Sequence, residues 1–417
     1  MSDTEDVKII LNQLSVHTVP SSDDDEIHSV ASSATSRSKS PTSRRKRKGK
    51  LRKSKTEKAI YKFTRYMRED HGQPLFGVKF NNYLPEKQAI FASVGANRIS
   101  IYECLQDEKG SIELLLVFAD PDVEENYYTC AWSYDTSTKQ PLIAVAGMRG
   151  VIRVIDISKV SNRHYIGHGQ AVNELKFHPK LPQLLVSASK DHSLRLWNIE
   201  TQLCVAIFSG VEGHRDEVLS VDFDAKGYCI MSAGMDHSLK LWSLQKENIT
   251  KAIDASLTYK EKNSRFPTWR EHFPDFSTRD VHRNYVDCVQ WFGNFLLSKS
   301  CENEIVCWKR GDLDDTVLKP NDTTATVLHR FPIKDCDIWF IRFEFNFSHK
   351  MMALGNQQGV TYVWEMGVED PQSTKCHMLA HARCNTAIRQ TTFSRNGNVL
   401  ICVCDDGTIW RWDRRND

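Results

Sequence analysis

The chain contains two consecutive stretches, residues 167–199 and 213–244, that repeat one another closely. Each stretch opens on Gly-His, passes through two apolar segments, and closes on Asp-His-Ser-Leu, a basic residue and Leu-Trp. The closing tryptophans, Trp197 and Trp242, lie 45 positions apart. A repeat of ~40 to 45 residues with a Gly-His start and a Trp near its end is typical of one four-stranded propeller blade of the WD40 type. The rest of the chain must then hold the other blades.

Five further units with weaker anchors follow the same pattern. The position of the closing tryptophan is occupied in them by Tyr102, Ile155, Trp308, Trp364 and Trp412. Seven units predict an all-β, seven-bladed WD40 β-propeller. The units are longest after Trp242 and after Trp308, which indicates polar insertions at roughly 246–281 and 311–334 on the propeller rim.

The seventh unit ends soon after its third predicted strand, residues 409–413, and therefore lacks an outer strand. Residues 60–68, IYKFTRYMR, alternate apolar and basic side chains, as a half-buried strand does. We expect the segment 58–70 to pair with the seventh blade and to cover its open edge. The predicted propeller domain is therefore 58–417.

Residues 1–57 are poor in aromatic and branched apolar side chains and rich in Ser, Asp, Lys and Arg. Such a segment cannot bury enough surface to offset its ordering entropy, so we predict a disordered N-terminal tail. Acidic residues come first, and a basic block, RRKRK at 44–48, follows. The block is typical of a nuclear-import signal or a weak nucleic-acid contact, and the alternative is a solvated linker.

Several classes of protein are disfavoured by the composition. The 12 cysteines form no CxxC pair and no zinc-type spacing, which predicts a reducing compartment and no structural metal. No apolar run approaches the ~18 residues of a membrane span. His168 and Asp191 imitate part of a hydrolase triad, but His214 and Asp236 repeat the arrangement, as a structural hydrogen-bond network would. We therefore expect no catalytic residue, no cofactor and no enzyme activity.

Aromatic residues recur at one position of the repeat. The residues four before the core aromatic of each predicted inner strand are Phe76, Tyr128, Asn173, Leu219, Asp287, Trp339 and Arg389. Equivalent positions surround one mouth of the central channel, so three blades should aim rings at a common point, with Phe340 beside Trp339 and Asp287 nearby. Converging aromatic faces suit a quaternary ammonium such as methylated lysine. The alternative is that these rings are strand-end core residues packed under loops.

From about 61 to 414 the chain resembles the Extra sex combs / EED family, the WD40 subunits of Polycomb repressive complex 2. The segments that carry the resemblance include QPLFGVKF, NYYTCAWSYD, GHGQAVNELKFHP, SKDHSLRLWNI, HFPDFSTRDVHRNYVDCVQW and CDDGTIWRWDR. The basic, Ser-rich leader is most similar to that of the insect branch.

The resemblance implies a non-catalytic nuclear protein that maintains gene silencing. One propeller face would hold the SET-domain methyltransferase subunit, Enhancer of zeste, alongside the other subunits of the complex. The other face would read trimethyl-lysine on the histone H3 tail and stimulate the enzyme. The family's cage positions fall on Phe76, Tyr128, Trp339 and Phe340, with Trp339 stacked on the lysine's aliphatic stem. The positions that contact the peptide fall on Asn173, Arg342 and Arg389.

One cage position departs from the family pattern. Vertebrate members have Tyr where this chain has Phe340, and the change keeps the ring face while removing a hydroxyl. A generic WD40 adaptor of a ubiquitin ligase or signalling complex is the alternative function, because the fold alone supports either. The aromatic mouth and the basic leader favour the chromatin reader.

Overall fold

A computed structural model describes residues 8–9, 60–107, 109–259, 266–312, 323–368 and 373–415. Almost all of the predicted tail, 1–57, and the first two residues of the segment 58–70 lie outside these ranges. Within the tail, Lys8–Ile9 pair antiparallel with the outer strand of the first blade.

The strands follow one another along the whole described chain. Those of the first half are β1 (Lys8–Ile9), β2 (Tyr61–Arg68), β3 (Gly77–Phe80), β4 (Ile90–Gly95), β5 (Arg98–Cys104), β6 (Ile112–Ala119), β7 (Tyr127–Tyr134), β8 (Pro141–Gly147), β9 (Ile152–Asp156), β10 (Ser161–Tyr165), β11 (Val172–Phe177), β12 (Leu184–Ser189), β13 (Leu194–Asn198), β14 (Leu203–Phe208) and β15 (Val218–Phe223). Those of the second half, with one helix, are β16 (Cys229–Gly234), β17 (Leu239–Ser243), α1 (Glu247–Thr258), β18 (Trp269–Glu271), β19 (Phe276–Thr278), β20 (Val286–Phe292), β21 (Phe295–Ser300), β22 (Glu304–Arg310), β23 (Ala325–Pro332), β24 (Glu344–Phe345), β25 (Met351–Gly355), β26 (Thr361–Glu365), β27 (Cys376–Leu379), β28 (Ile388–Phe393), β29 (Val399–Cys404) and β30 (Thr408–Arg414).

These strands form seven sheets, which confirms the predicted seven-bladed β-propeller. Blades one, two, five and six are antiparallel meanders built on β3–β6, β7–β10, β20–β23 and β24–β27. Blade three is β11–β14, and blade four is β15, β16, β17 and β19. The inner strand of blade one, β3, lies against both β7 of blade two and β28 of blade seven, so the ring is closed.

Blade seven takes its outer strand from the N-terminal side of the domain. Strand β2 pairs antiparallel with β30, from Tyr61 opposite Arg414 to Arg68 opposite Thr408. Tyr61 is buried, and its hydroxyl donates a 2.6 Å hydrogen bond to the Gly397 carbonyl. The segment 60–68 therefore contains the predicted strand, and its buried residues, Tyr61 and Met67, lie near the two ends of that strand.

Both predicted insertions contain blade strands as well as rim segments. The first holds α1, then β18, which joins the edge of blade three parallel to β14, and then β19, the outer strand of blade four. The second holds β23, the outer strand of blade five. The interpretation of residues 246–281 and 311–334 as rim excursions was therefore incomplete. Strands of three residues, such as β18 and β19, were not recognised because so few residues show almost no alternation of apolar and polar side chains.

Three blades each contain a buried hydrogen-bond network of the same kind. The histidine Nε2 and the tryptophan Nε1 meet one serine hydroxyl in each blade, at 2.6 to 3.0 Å, in the sets His168–Ser187–Trp197, His214–Ser232–Trp242 and His282–Ser298–Trp308. Asp191 and Asp236 accept from the first two histidines, whereas Glu302 lies 3.5 Å from the third. Burial lowers the pKa of all three histidines, to about 4 for His282. The network joins strands within each blade, as a structural role requires.

Hydrophobic layers fill the spaces between neighbouring blades. Between blades six and seven, for example, Met351 and Val363 pack with Leu400 and Trp410. The described ranges hold no helix long and apolar enough to cross a membrane. They also hold no group of three His, Cys, Asp or Glu side chains that could bind a metal ion.

Candidate functional site

A cavity of about 420 Å³ opens where the inner strands of several blades begin. Its lining consists of Phe76, Tyr128, Ala171, Asn173, Lys190, Glu217, Ile338, Trp339, Phe340 and Arg389. The four candidate cage residues are therefore brought together from blades one, two and six. Asn173 and Arg389, two of the three residues expected to contact a peptide, also line the cavity.

Backbone bulges aim several of these side chains. The antiparallel register skips one residue at the start of β7, β11, β15, β20 and β28, and the skipped residues are Tyr128, Asn173, Leu219, Asp287 and Arg389. A bulge places two residues opposite one and re-aims the extra side chain. Five of the seven positions singled out in the sequence therefore lie at a repeated irregularity of the inner strand.

Three rings form an aromatic corner, the name used here for Phe76, Tyr128 and Phe340. The ring centroids are 5.3 Å apart for Phe76–Tyr128, 5.6 Å for Phe76–Phe340 and 5.5 Å for Tyr128–Phe340. The corresponding planes cross at 78°, 88° and 73°. Edge-to-face packing of this kind is favourable between aromatic rings. The three planes are oriented like the faces that meet at the corner of a box.

Trp339 forms the open side of the site. Its side chain is 42% exposed, and its ring centroid lies 5.5 Å from that of Phe340 at 83°. Phe340, the next residue, is only 5% exposed and has a φ of +67°. This left-handed conformation is unfavourable for a bulky side chain and is found mainly where the surrounding structure imposes it. The turn therefore directs one ring into the corner and leaves its neighbour on the surface.

Arg342 holds the corner from inside the channel. Its Nη2 donates to the carbonyl of Asn173 at 2.5 Å and approaches that of Leu219 at 3.4 Å. Its guanidinium carbon lies 4.3 Å from the Phe340 ring centroid, so the cation covers one face of that ring. Arg342 is 2% exposed and is absent from the cavity lining. Arg342 is therefore not among the residues that the cavity brings together, and its contact with a peptide stays a prediction.

Arg389 anchors the backbone of the tryptophan. Its Nε and Nη2 donate to both oxygens of Asp405, at 2.6 and 2.8 Å. Its Nη1 donates to the Trp339 carbonyl at 3.0 Å, and its guanidinium lies 5.7 Å from the Phe76 ring. Because Asp405 fixes the guanidinium by two hydrogen bonds, Arg389 positions Trp339 with little freedom.

An ion pair that was not predicted from the sequence lies at the rim of the cavity. Lys190 Nζ lies 2.6 Å from the Glu217 carboxylate. These residues occupy loops of blades three and four, and they bring one positive and one negative group close to Tyr128. Burial raises the pKa of the Tyr128 phenol, which therefore stays neutral at physiological pH.

Asp287 and Leu219 do not take part in the cavity. Leu219 is fully buried. Both carboxylate oxygens of Asp287 lie 2.9 Å from Lys299 Nζ, and Oδ2 also accepts from the Ile341 amide at 3.2 Å. Asp287 thus supports the segment that carries Phe340 and is not available to a ligand at the mouth.

The fold and the cavity define a WD40-repeat propeller with an aromatic pocket at one channel mouth. The family model described as WD domain, G-beta repeat matches residues 159–198, 203–243 and 373–413. Each match begins with the outer strand of one blade and continues through three strands of the next, which is blade three, four or seven. The first two matches overlap the pair of repeats that is clearest in the sequence.

The chain belongs to the Polycomb protein esc family. It is 56% identical to Polycomb protein esc of Musca domestica over 399 residues, which covers 94% of this chain and 93% of that protein. It is 53% identical to Polycomb protein esc of Drosophila melanogaster, over 86% of this chain and 85% of that protein. The predicted insect-type membership is confirmed by these relatives.

Solved structures share the fold. A chain of the Chaetomium thermophilum polycomb repressive complex 2, and one of ctPRC2 in complex with H3K27me3 and H3K27M, each align with a TM-score of 0.72. In both cases the identity is 22%, and the alignment covers 85% of this chain and 98% of the other. At this identity the likeness establishes the propeller architecture.

Proposed function

We propose that this protein is a non-catalytic subunit of a Polycomb histone H3 lysine methyltransferase complex and that its aromatic corner reads trimethyl-lysine on the H3 tail. The observation that carries the proposal is the convergence of Phe76, Tyr128 and Phe340 with nearly perpendicular planes, beside the exposed Trp339. Binding in the corner would stimulate the methyltransferase and maintain gene silencing.

The chemistry of the corner selects a quaternary ammonium. Each ring offers a negative face to a cation, worth about 0.5 to 2 kcal/mol. A trimethylammonium group has no N–H hydrogen to donate, so it loses less hydration free energy than an ammonium does when it leaves water for an apolar pocket. An unmodified ammonium has three donors, and the rings would leave them unsatisfied. The corner should therefore prefer trimethyl-lysine over unmodified lysine.

Neighbouring groups are suited to the rest of a peptide. Trp339 presents an exposed ring on which the lysine's methylene chain could stack. Asn173 and Arg389 line the same cavity, and the Lys190–Glu217 pair provides both signs of charge at the rim. Arg342 would act indirectly, because it packs on Phe340 from the channel side.

The partners follow from the family. Relatives at 53 to 56% identity are Polycomb proteins, and the solved assemblies that share the fold are polycomb repressive complex 2. We therefore propose that the partners of this chain are an Enhancer of zeste-type SET-domain subunit and the other subunits of that complex, and that the chain is located in the nucleus. Purification of the tagged chain from nuclei tests the assignment, because a cullin-type partner in place of the SET-domain subunit would support the adaptor alternative.

A binding titration tests the reading function. The full chain is titrated with matched H3 peptides that carry trimethyl-lysine or unmodified lysine at one position. We expect micromolar-range binding of the methylated peptide, lost in Phe76→Ala and Tyr128→Ala while both variants keep the wild-type melting temperature within a few degrees. Phe347→Ala removes an exposed ring outside the cavity and serves as the matched control.

A further inference from the structure

A second cavity, of about 340 Å³, lies beside blade four, and its lining includes three cationic and two anionic side chains. Arg215 and Arg279 are exposed at its rim, and Lys240 lies deeper and is only 7% exposed. We call this cavity the Lys240 pocket. The connection between β14 and β15 contributes Glu217 to the aromatic cavity and Arg215 to the Lys240 pocket, so one loop separates the two cavities.

Lys240 forms no direct ion pair with a carboxylate among the described residues, and Asp236 and Glu212 act on its charge only from farther away. Its Nζ donates to the Ser277 hydroxyl at 2.9 Å, and no ion pair within 4 Å involves Lys240, Arg215 or Arg279 among the described residues. Burial, together with the charges of Arg279 and Arg215, lowers the pKa of Lys240, against the opposing effect of Asp236 and Glu212. A buried ammonium that has two guanidinium groups near it and no direct carboxylate partner would be stabilised by a bound anion.

Asp236 lies close to Lys240, but its carboxylate already accepts hydrogen bonds from other groups. Its carboxylate accepts from His214 Nδ1 at 3.0 Å, from the Arg215 amide at 2.9 Å and from the Ser238 hydroxyl at 2.7 Å. The same carboxylate completes the buried network of blade four. It therefore cannot turn toward Lys240 without breaking bonds that hold the blade together.

The arrangement of donors points to a phosphate group. Two guanidinium groups and an ammonium surround the cavity, and the Ser277 hydroxyl retains its own hydrogen for donation. A phosphate monoester offers three charged oxygens to such a set, whereas a carboxylate offers two. Glu212 and Asp280 also line the pocket, and they would repel an extended polyanion more than one compact dianion. The balance favours a single phosphate over a nucleic-acid backbone.

We propose that the Lys240 pocket binds the phosphate of a phosphorylated serine or threonine side chain, or a free phosphate ion. The pocket shares no lining residue with the aromatic cavity. The variants that test one cavity therefore leave the lining of the other unchanged, and failure of one proposal does not decide the other.

Calorimetry and thermal unfolding of the full chain test the proposal. The ligands are inorganic phosphate, the peptide acetyl-Gly-phosphoserine-Gly-amide and its serine counterpart, with sodium chloride at equal ionic strength as the reference. Phosphate should raise the melting temperature, since a ligand that binds only the folded state stabilises it. A phosphopeptide that binds more tightly than phosphate identifies a protein-borne group, and equal or weaker peptide binding identifies the free ion.

Variants locate the site. Arg279→Gln and Arg215→Gln each remove one exposed charge from the rim and should each weaken phosphate binding about threefold to tenfold. Lys226→Gln removes an exposed cation outside the pocket and should bind as the wild type does. Lys240→Met should abolish the stabilisation by phosphate, and the two arginine variants decide the matter if Lys240→Met fails to fold. The proposal is overturned if phosphate and phosphopeptide leave the wild type unchanged, or if both arginine variants bind normally.

Discussion

The buried ion pair between Asp287 and Lys299 provides a quantitative test of how the Phe340 segment is supported. Both side chains are fully buried, and Lys299 Nζ lies 2.9 Å from each carboxylate oxygen. Asp287→Asn would leave a buried ammonium without a counter-charge. Removing one partner of a buried pair costs about 3 to 5 kcal/mol of unfolding free energy. At about 2 to 4 °C per kcal/mol, the melting temperature should fall by roughly 6 to 20 °C.

The change should also reach the aromatic corner. Asp287 Oδ2 accepts from the amide of Ile341, the residue that follows Phe340. An asparagine side chain can still accept there but cannot neutralise Lys299, so the segment should become more mobile. We therefore expect weaker trimethyl-lysine binding together with the lower stability.

Urea unfolding followed by tryptophan fluorescence gives the free energy directly. The double variant Asp287→Leu with Lys299→Met should recover most of the loss, because an apolar replacement of a buried pair is often neutral. Glu247→Gln breaks the exposed Lys251–Glu247 pair on α1 and should change the free energy by less than about 0.5 kcal/mol. A loss below about 1 kcal/mol in Asp287→Asn would refute the role assigned to the pair.

Three further outcomes are expected. The folded-state pKa of His282 is about 4, below the ordinary histidine value, so its contribution to the unfolding free energy is complete above about pH 6.5 and declines toward pH 4. Melting temperatures should therefore fall over this pH range, and the fall should be smaller in His282→Gln. Deletion of 58–70 should lower the melting temperature sharply and cause aggregation in light scattering, since the edge of β30 becomes exposed, whereas deletion of 10–57 should do neither. Phe340→Tyr should retain or modestly strengthen trimethyl-lysine binding by calorimetry, and complete loss would contradict the box-corner geometry.

The architecture could be predicted from the sequence because the side chains that stabilise a blade recur at regular spacing. The Asp-His-Ser-Leu-x-Leu-Trp ending of two units supplies the aspartate and the tryptophan of the buried network, and the opening Gly-His supplies its histidine, so the spacing of these motifs measures one blade. The third network escaped notice because blade five uses His282 without a preceding glycine and has Glu302 where the others have aspartate. The network requires hydrogen-bonding atoms at these positions, and several residue types can provide such atoms.

The candidate site was predicted in part. Alignment of the inner strands singled out Phe76, Tyr128 and Trp339, and the structure brings these side chains into one cavity. The alignment could not show which way each bulged side chain points. Asp287 turns inward to Lys299, while Tyr128, at the equivalent bulge, lines the cavity.

Contacts between distant blades were also beyond the sequence. Arg342 lies in the channel because carbonyls of blades three and four accept from it, and no local pattern indicates that contact. The Lys240 pocket was hidden by separation in sequence within one blade. Its cations come from a loop, from β17 and from the segment after β19, which meet only when the outer strand of blade four has returned from the excursion through α1 and β18.

The central claim is that the aromatic corner distinguishes methylated from unmodified lysine. Its most direct measurement is a calorimetric titration of the full chain with H3 peptides that differ only in three methyl groups on one lysine nitrogen, repeated with Tyr128→Ala. We predict that the wild type binds the trimethylated peptide at least about tenfold more tightly, as expected when several rings each contribute to cation binding, and that Tyr128→Ala removes the difference. Equal affinity of the wild type for the two peptides would contradict the account.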